Sequence, residues 1–142
     1  GLNQFKRLNY FIKIRIKNKN KIIDKIKKDK RWNNQFSFID VPQKINPSYM
    51  NLPIFINKKI KNKKKKFINF IEKNGLESRP IISGSFVNQP SSKLFNLNPK
   101  KLKFKGAQEV EDLGFAIGLN TIPITNEKID FVVNTLFSID SL

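Results

Sequence analysis

The chain has 142 residues, with 28 Lys+Arg against 11 Asp+Glu, a formal net charge of +17 and an isoelectric point near 10.2. That length fits one domain or a piece of a larger one. The absence of Cys and His excludes disulfide frameworks, thiol nucleophiles, imidazole acid–base chemistry and zinc sites built from those ligands.

No apolar run approaches the ~20 residues that span a bilayer, so no membrane partner is expected. No signal peptide is legible at the basic N-terminus. The chain begins at Gly1 and its sole Met is Met50, so a processed or partial chain is expected. Residues 1–66 hold 20 Lys+Arg against 3 acids, and residues 67–142 hold 8 against 8. Such a basic half raises a nucleic-acid partner first. Its composition argues against one. Only Arg7, Arg15, Arg31 and Arg79 are Arg, whereas base readers lean on the Arg fork. Lys, Asn, Ile and Phe are inflated together, as an A/T-rich coding sequence would produce.

Residues 3–31 read as one long helix. Phe5, Leu8, Ile12, Ile16, Ile23 and Ile26 recur at steps of three, four or seven, with Lys19 in the gap and Asn3 as N-cap. Phe36–Ile39 is a short strand candidate. Tyr49–Ile56 is a second, and Pro53 suggests an edge position or a bulge. Asn57 caps a helix expected from Lys58 to Lys73, stopped by Asn74-Gly75. Leu76–Ile82 reads as a third strand, followed by a Ser83-Gly84-Ser85 turn. Residues 86–105 look irregular, with one helical turn near Ser92–Phe95. Ala107–Leu113 is a short helix ending at Gly114, and Phe115–Gly118 a fourth strand. Thr125 caps a last helix to Phe137, with Ile129, Val132, Val133 and Leu136 on its apolar face and Glu127 in its first turn.

The glycines form no phosphate loop. Glu111-Asp112 reads as an exposed acidic helix face rather than as paired catalytic carboxylates. The most suggestive stretch is Arg79-Pro80-Ile81-Ile82-Ser83-Gly84-Ser85-Phe86. A small-residue turn after a strand exposes N–H groups and hydroxyls beside an Arg, as an anion or sugar site requires. On the residues alone, it also reads as an ordinary strand with a surface Arg and a Ser/Gly turn.

The block from Asn74 to Pro90, NGLESRPIISGSFVNQP, resembles the C-terminal part of the DegT/DnrJ family of PLP-dependent enzymes, where the segment runs roughly "NGIETRPI-SGNF--QP". Ala107 to Leu119 is similar to the family's "A-----GFxIGLH", and Thr125 to Leu136 to its closing "LT-EEI-YVV-TL". Gly1 to Asn9 resembles "GLAQLKRLD", where a helix leaves the large domain. Pro47-Ser48-Tyr49-Met50-Asn51-Leu52-Pro53-Ile54 is similar to the "PSWFGFPI" of the branch that 3-dehydrates CDP- or GDP-linked 4-keto-6-deoxyhexoses. The lack of His points the same way. Two positions depart from the pattern. "SGN" is Ser83-Gly84-Ser85 here, which loses an amide, and "GLH" is Gly118-Leu119-Asn120, which loses an imidazole.

The resemblance implies an α/β fold, the small C-terminal domain of a fold-type-I PLP enzyme, with a short, mostly antiparallel sheet packed with helices. Residues 1–31 would be the linking helix from the large domain, and residues 32–142 the small domain. It implies a cytoplasmic, homodimeric enzyme that uses pyridoxal or pyridoxamine phosphate on a nucleotide-linked keto sugar, by dehydration or transamination, for lipopolysaccharide or other surface-polysaccharide assembly. The large domain would hold the cofactor, so no catalytic residue and no metal ligand is expected here. Arg79, Ser83, Gly84, Ser85 and Gln89 are the substrate-binding candidates. Two other readings stay open: a basic nucleic-acid-binding module and a non-catalytic gene remnant.

Overall fold

The structure is a computed structural model describing residues 1–45, 47–82, 84–97 and 104–142. The expected first helix is two helices. The short α1, Leu2–Lys6, is followed by α2, Leu8–Lys28, with Arg7 at the break (φ −100°, ψ 0°). Gly1, not Asn3, holds the N-cap position of α1. α2 ends three residues early, where Asp29 turns extended and accepts from the Arg31 backbone N–H and guanidinium at 2.8–2.9 Å.

The buried line of α2 is Asn18, Ile22 and Ile26. Phe5 and Leu8, the start of the expected stripe, are exposed. Asn18 was missed because an amide reads as surface. It is buried because its three hydrogen-bonding positions are met by the 120–124 segment. Lys19 fills the gap in the stripe by laying its ammonium 4.3 Å from the Tyr49 ring centroid.

β1 is Phe36–Phe38 and β2 is Asn51–Ile56. Asn57 accepts from the Lys59 N–H at 3.0 Å, as expected of a cap. The helix it opens begins as a 3-10 segment, Lys58–Lys63, with Ile60 off helical geometry, and becomes α3 at Lys64–Lys73. α3 closes as a Schellman turn, in which the N–H groups of Gly75 and Leu76 donate to the Glu72 and Ile71 carbonyls at 3.0 and 2.9 Å.

β3 is only Ser78–Arg79. Short 3-10 segments follow at Phe86–Asn88 and Pro90–Phe95, the second containing the expected helical turn. Part of the stretch expected to be irregular, residues 98–103, lies outside the described residues. α4 is Lys105–Leu113, β4 is Gly114–Gly118, and α5 is Asn126–Phe137. Thr125 caps α5 by accepting from the Lys128 N–H at 3.4 Å. Glu127 stands in the first turn of α5, where its own backbone N–H and the Thr125 hydroxyl hold its carboxyl below the usual range.

The four strands form one sheet in the order β1-β2-β4-β3, antiparallel throughout. Pro53 therefore lies in a central strand, not at an edge. The sheet tolerates it because β1 stops at Phe38, opposite Ile54, so no ladder partner faces Pro53 on that flank. Leu52, Ile54 and Ile56 of β2 and Phe115 and Ile117 of β4 pack with Ile22 and Ile26 of α2, Phe67 and Ile71 of α3 and Val133 and Leu136 of α5. Phe67 sets its ring edge-on to Phe115 at 5.7 Å and tilts against Phe36 at 6.1 Å. This core fixes β3 and α4 relative to each other, and the segment between them carries the candidate site.

Candidate functional site

Arg79 ends β3, its backbone paired with Ala116 of β4. Its side chain is exposed and donates to the Glu77 carboxylate at 2.7 Å, with both partners more than two-thirds exposed (71% and 75%). Such a pair contributes little stability and leaves the guanidinium available. Arg79 and Gly84 line one cavity of about 210 Å³, together with Lys64, Ile81 and Glu111.

The chain then turns sharply. Ile82 takes φ 52° and Gly84 takes φ 68°, the left-handed region on both sides of Ser83. For β-branched Ile82, a residue 88% exposed, that backbone is strained. Ser83 itself lies outside the described residues. Gly84 is required by a close approach. A Cβ there would sit 2.8 Å from Glu111 Cγ and 2.9 Å from Glu111 Cβ.

Ser85 is 1% exposed and lies under the turn. Its backbone N–H donates to Glu111 Oε2 at 2.9 Å. Asn88 Nδ2 donates to the same oxygen at 2.9 Å and to Gln108 Oε1 at 2.8 Å. Gln89 is half-buried where the two 3-10 turns meet. Of the five predicted residues, Arg79 and Gly84 thus share a cavity, and Ser85 lies beneath the turn they flank.

Glu111, Asn88, Gln108 and Lys64 were missed. The Glu111 carboxylate is an anchor for the turn rather than part of a solvated acidic face. Lys64 donates to the Glu111 carbonyl at 2.6 Å, and burial pushes its ammonium pKa down. The signal for Glu111 was available only in part. Gln108 and Glu111, three apart, share a face of α4, but nothing local says that residues 85–88 lie against it.

Asp112, beside Glu111, accepts from Lys61 Nζ at 2.5 Å and from Gln108 Nε2 at 3.1 Å. The Lys61 ammonium and the Gln108 amide hold its carboxyl below the usual range. Among the described residues no cluster of carboxylates is placed to hold a metal ion, and no helix is long and apolar enough to cross a membrane.

No family model and no curated protein sequence matches the chain. Solved structures do. Helicobacter pylori PseC, an aminotransferase involved in the biosynthesis of pseudoaminic acid, superposes with a TM-score of 0.80 at 19% identity, over 99% of this chain and 36% of that one. A variant of GDP-4-keto-6-deoxymannose-3-dehydratase with bound GDP-perosamine gives 0.77 at 24% identity, over 95% and 33%. The E. coli GDP-4-keto-6-deoxy-D-mannose-3-dehydratase with bound hydrated PLP gives 0.70 at 23% identity, again over 95% and 33%. The chain thus spans about a third of the length of the structures it matches. The expected fold class holds: a four-stranded antiparallel sheet packed with helices, in the small-domain fold of fold-type-I PLP enzymes.

Proposed function

We propose that the chain forms the small domain, residues 32–142 with its helical linking segment 1–31, of a DegT/DnrJ-family enzyme. That enzyme uses PLP or PMP to 3-dehydrate or transaminate a nucleotide-linked 4-keto-6-deoxy sugar. The observation that carries the reading is the coincidence of fold and motif. The superposition covers nearly the whole chain, and the block resembling the family's Arg-Pro-Ile…Ser-Gly segment falls on a strained, anchored turn beside a cavity.

The residues of this chain do not by themselves suit the cofactor. Lys64, the lysine whose ammonium burial pushes down, is engaged with the Glu111 carbonyl. The cofactor would be held by the larger part of the enzyme, where it supplies the electron sink for the bond chemistry. The contribution of this chain is binding and orientation. Arg79 gives a guanidinium to a sugar oxygen or to the diphosphate. Gly84 presents the turn to the sugar and Ser85 holds it through its backbone N–H, while Ser83 and Gln89 are assigned to the same wall by their places in the motif. A cytoplasmic homodimer serving surface-polysaccharide synthesis, lipopolysaccharide included, completes the reading.

Replacing Arg79 by Ala in the full-length enzyme tests it. The expected result is a KM for GDP-4-keto-6-deoxymannose raised by about tenfold or more, the loss of one charge-assisted hydrogen bond. Unchanged turnover and unchanged sugar binding would remove Arg79 from the site.

A further inference from the structure

Glu111 has no place among the motif residues, yet the turn is built around it. One carboxylate oxygen receives both the Ser85 N–H and the Asn88 amide, each at 2.9 Å. The methylenes of the same side chain occupy the space that a Cβ on residue 84 would need. The carboxylate is itself carried on a fixed element. α4 is tied to α3 through Lys64 Nζ and the Glu111 carbonyl at 2.6 Å, and to the 3-10 segment before α3 through the Lys61–Asp112 pair. Upstream, Ile82 holds a left-handed backbone that its branched side chain disfavours. Such a conformation persists where its surroundings over-determine it.

We propose that Glu111 is a positioning residue for sugar binding. It clamps residues 84–88 against α4, and so holds Gly84 on the cavity that Arg79 also lines, where the nucleotide sugar would be met. This rests on the functional reading above. The clamp needs an acceptor oxygen rather than a negative charge, since both of its donors are neutral amides. Gln at position 111 keeps such an oxygen, and Ala does not.

The test compares Glu111→Gln, Glu111→Ala and the exposed control Glu109→Gln in the full-length enzyme, with GDP-4-keto-6-deoxymannose as the probe. Glu111→Ala is expected to raise KM about tenfold with kcat changed less than about threefold, and to speed hydrogen exchange at the Ser85 amide. Glu111→Gln is expected to restore both, and Glu109→Gln to change neither.

Slow exchange at Ser85 in Glu111→Ala would overturn the clamp. Fast exchange with unchanged KM would overturn the positioning role while leaving the clamp. A wild-type enzyme that binds no nucleotide sugar would overturn the functional reading, and the positioning role with it. Exchange at Ser85 would still report the clamp, so the two failures are distinguishable. If Glu111→Ala does not fold, Gly84→Ala perturbs the same contact from the other side. It is expected to raise KM in the same way, and an unchanged KM there would also overturn the proposal.

Discussion

Asn18 Oδ1 accepts the Ile124 backbone N–H at 3.0 Å, while the Asn18 amide nitrogen donates to the carbonyls of Asn120 and Ile122 at 3.1 and 2.8 Å. One side chain, 3% exposed, thereby fastens the segment between β4 and α5 to the middle of α2. Arg15, one turn earlier, adds its Nε to the Leu119 carbonyl at 3.2 Å.

Removing that amide leaves two carbonyls and an N–H without their partner. Asn18→Ala is expected to destabilise the protein by about 2–4 kcal/mol, several hydrogen bonds lost at a buried site. Asn18→Asp should be at least as damaging, because a carboxylate cannot donate to the two carbonyls. Urea unfolding with an unchanged slope would measure both. A loss below about 0.5 kcal/mol for Asn18→Ala would show that water replaces the amide.

Gly114 begins β4 where the chain leaves α4 with no room for a side chain. A Cβ there would lie 2.6 Å from the Val110 carbonyl oxygen and 2.7 Å from Ile81 Cδ1. The carbonyl is backbone and cannot swing away, so Gly114→Ala is expected to cost about 1–3 kcal/mol through overpacking. At Gly118, four residues on, a Cβ would meet nothing within 4 Å, so Gly118→Ala is the tolerated control. Thermal melts of the two variants should separate clearly.

Ile82 is the reverse case, since its strained backbone supports an exposed side chain. Ile82→Asn keeps a side chain that tolerates the left-handed region and is expected to raise stability by up to about 1 kcal/mol. A fall in melting temperature would mean that the side chain contributes packing its exposure does not suggest.

The pH dependence follows from Asp112 and Asp29. The Lys61 ammonium lowers the Asp112 carboxyl, and the Arg31 guanidinium and N–H lower that of Asp29, both from an ordinary value of 3.8. A carboxyl depressed in the folded state binds fewer protons there than in the unfolded chain. Its stabilisation is therefore complete above about 3.8 and is lost as pH falls through the folded value. Urea midpoints between about pH 6 and about pH 2 are expected to fall at the acid end. Asp112→Asn should flatten that fall, with its difference from wild type shrinking as pH drops. A constant difference across the range would contradict the linkage.

Much of this was legible locally. Apolar spacing marked α3 and α5, and the cap residues Asn57 and Thr125 and the Asn74-Gly75 stop fell where expected. The Arg-Pro-Ile…Ser-Gly block drew attention to the turn that follows β3. These features are written in the nearest few residues, because helical periodicity, caps and turn chemistry act over one or two turns. The break at Arg7, the central place of Pro53, the burial of Asn18 and the anchoring of the turn by Glu111 were not legible. The last two depend on partners distant in sequence, the Asn18 bonds spanning 102 to 106 residues and the Glu111 bonds 23 to 26.

The opening charge divides in the same way. The sequence by itself determined that the excess lies before residue 67 and that the informative motif lies in the electrically neutral half. Only the tertiary structure decided where lysines of the first half meet acids of the second, as Lys25 meets Asp130, Lys58 meets Glu109 and Lys61 meets Asp112. It likewise decided that a glutamate read as surface would accept from the Ser85 N–H and the Asn88 amide. Pairing across a fold is settled by which faces the core brings together, and no local pattern encodes that.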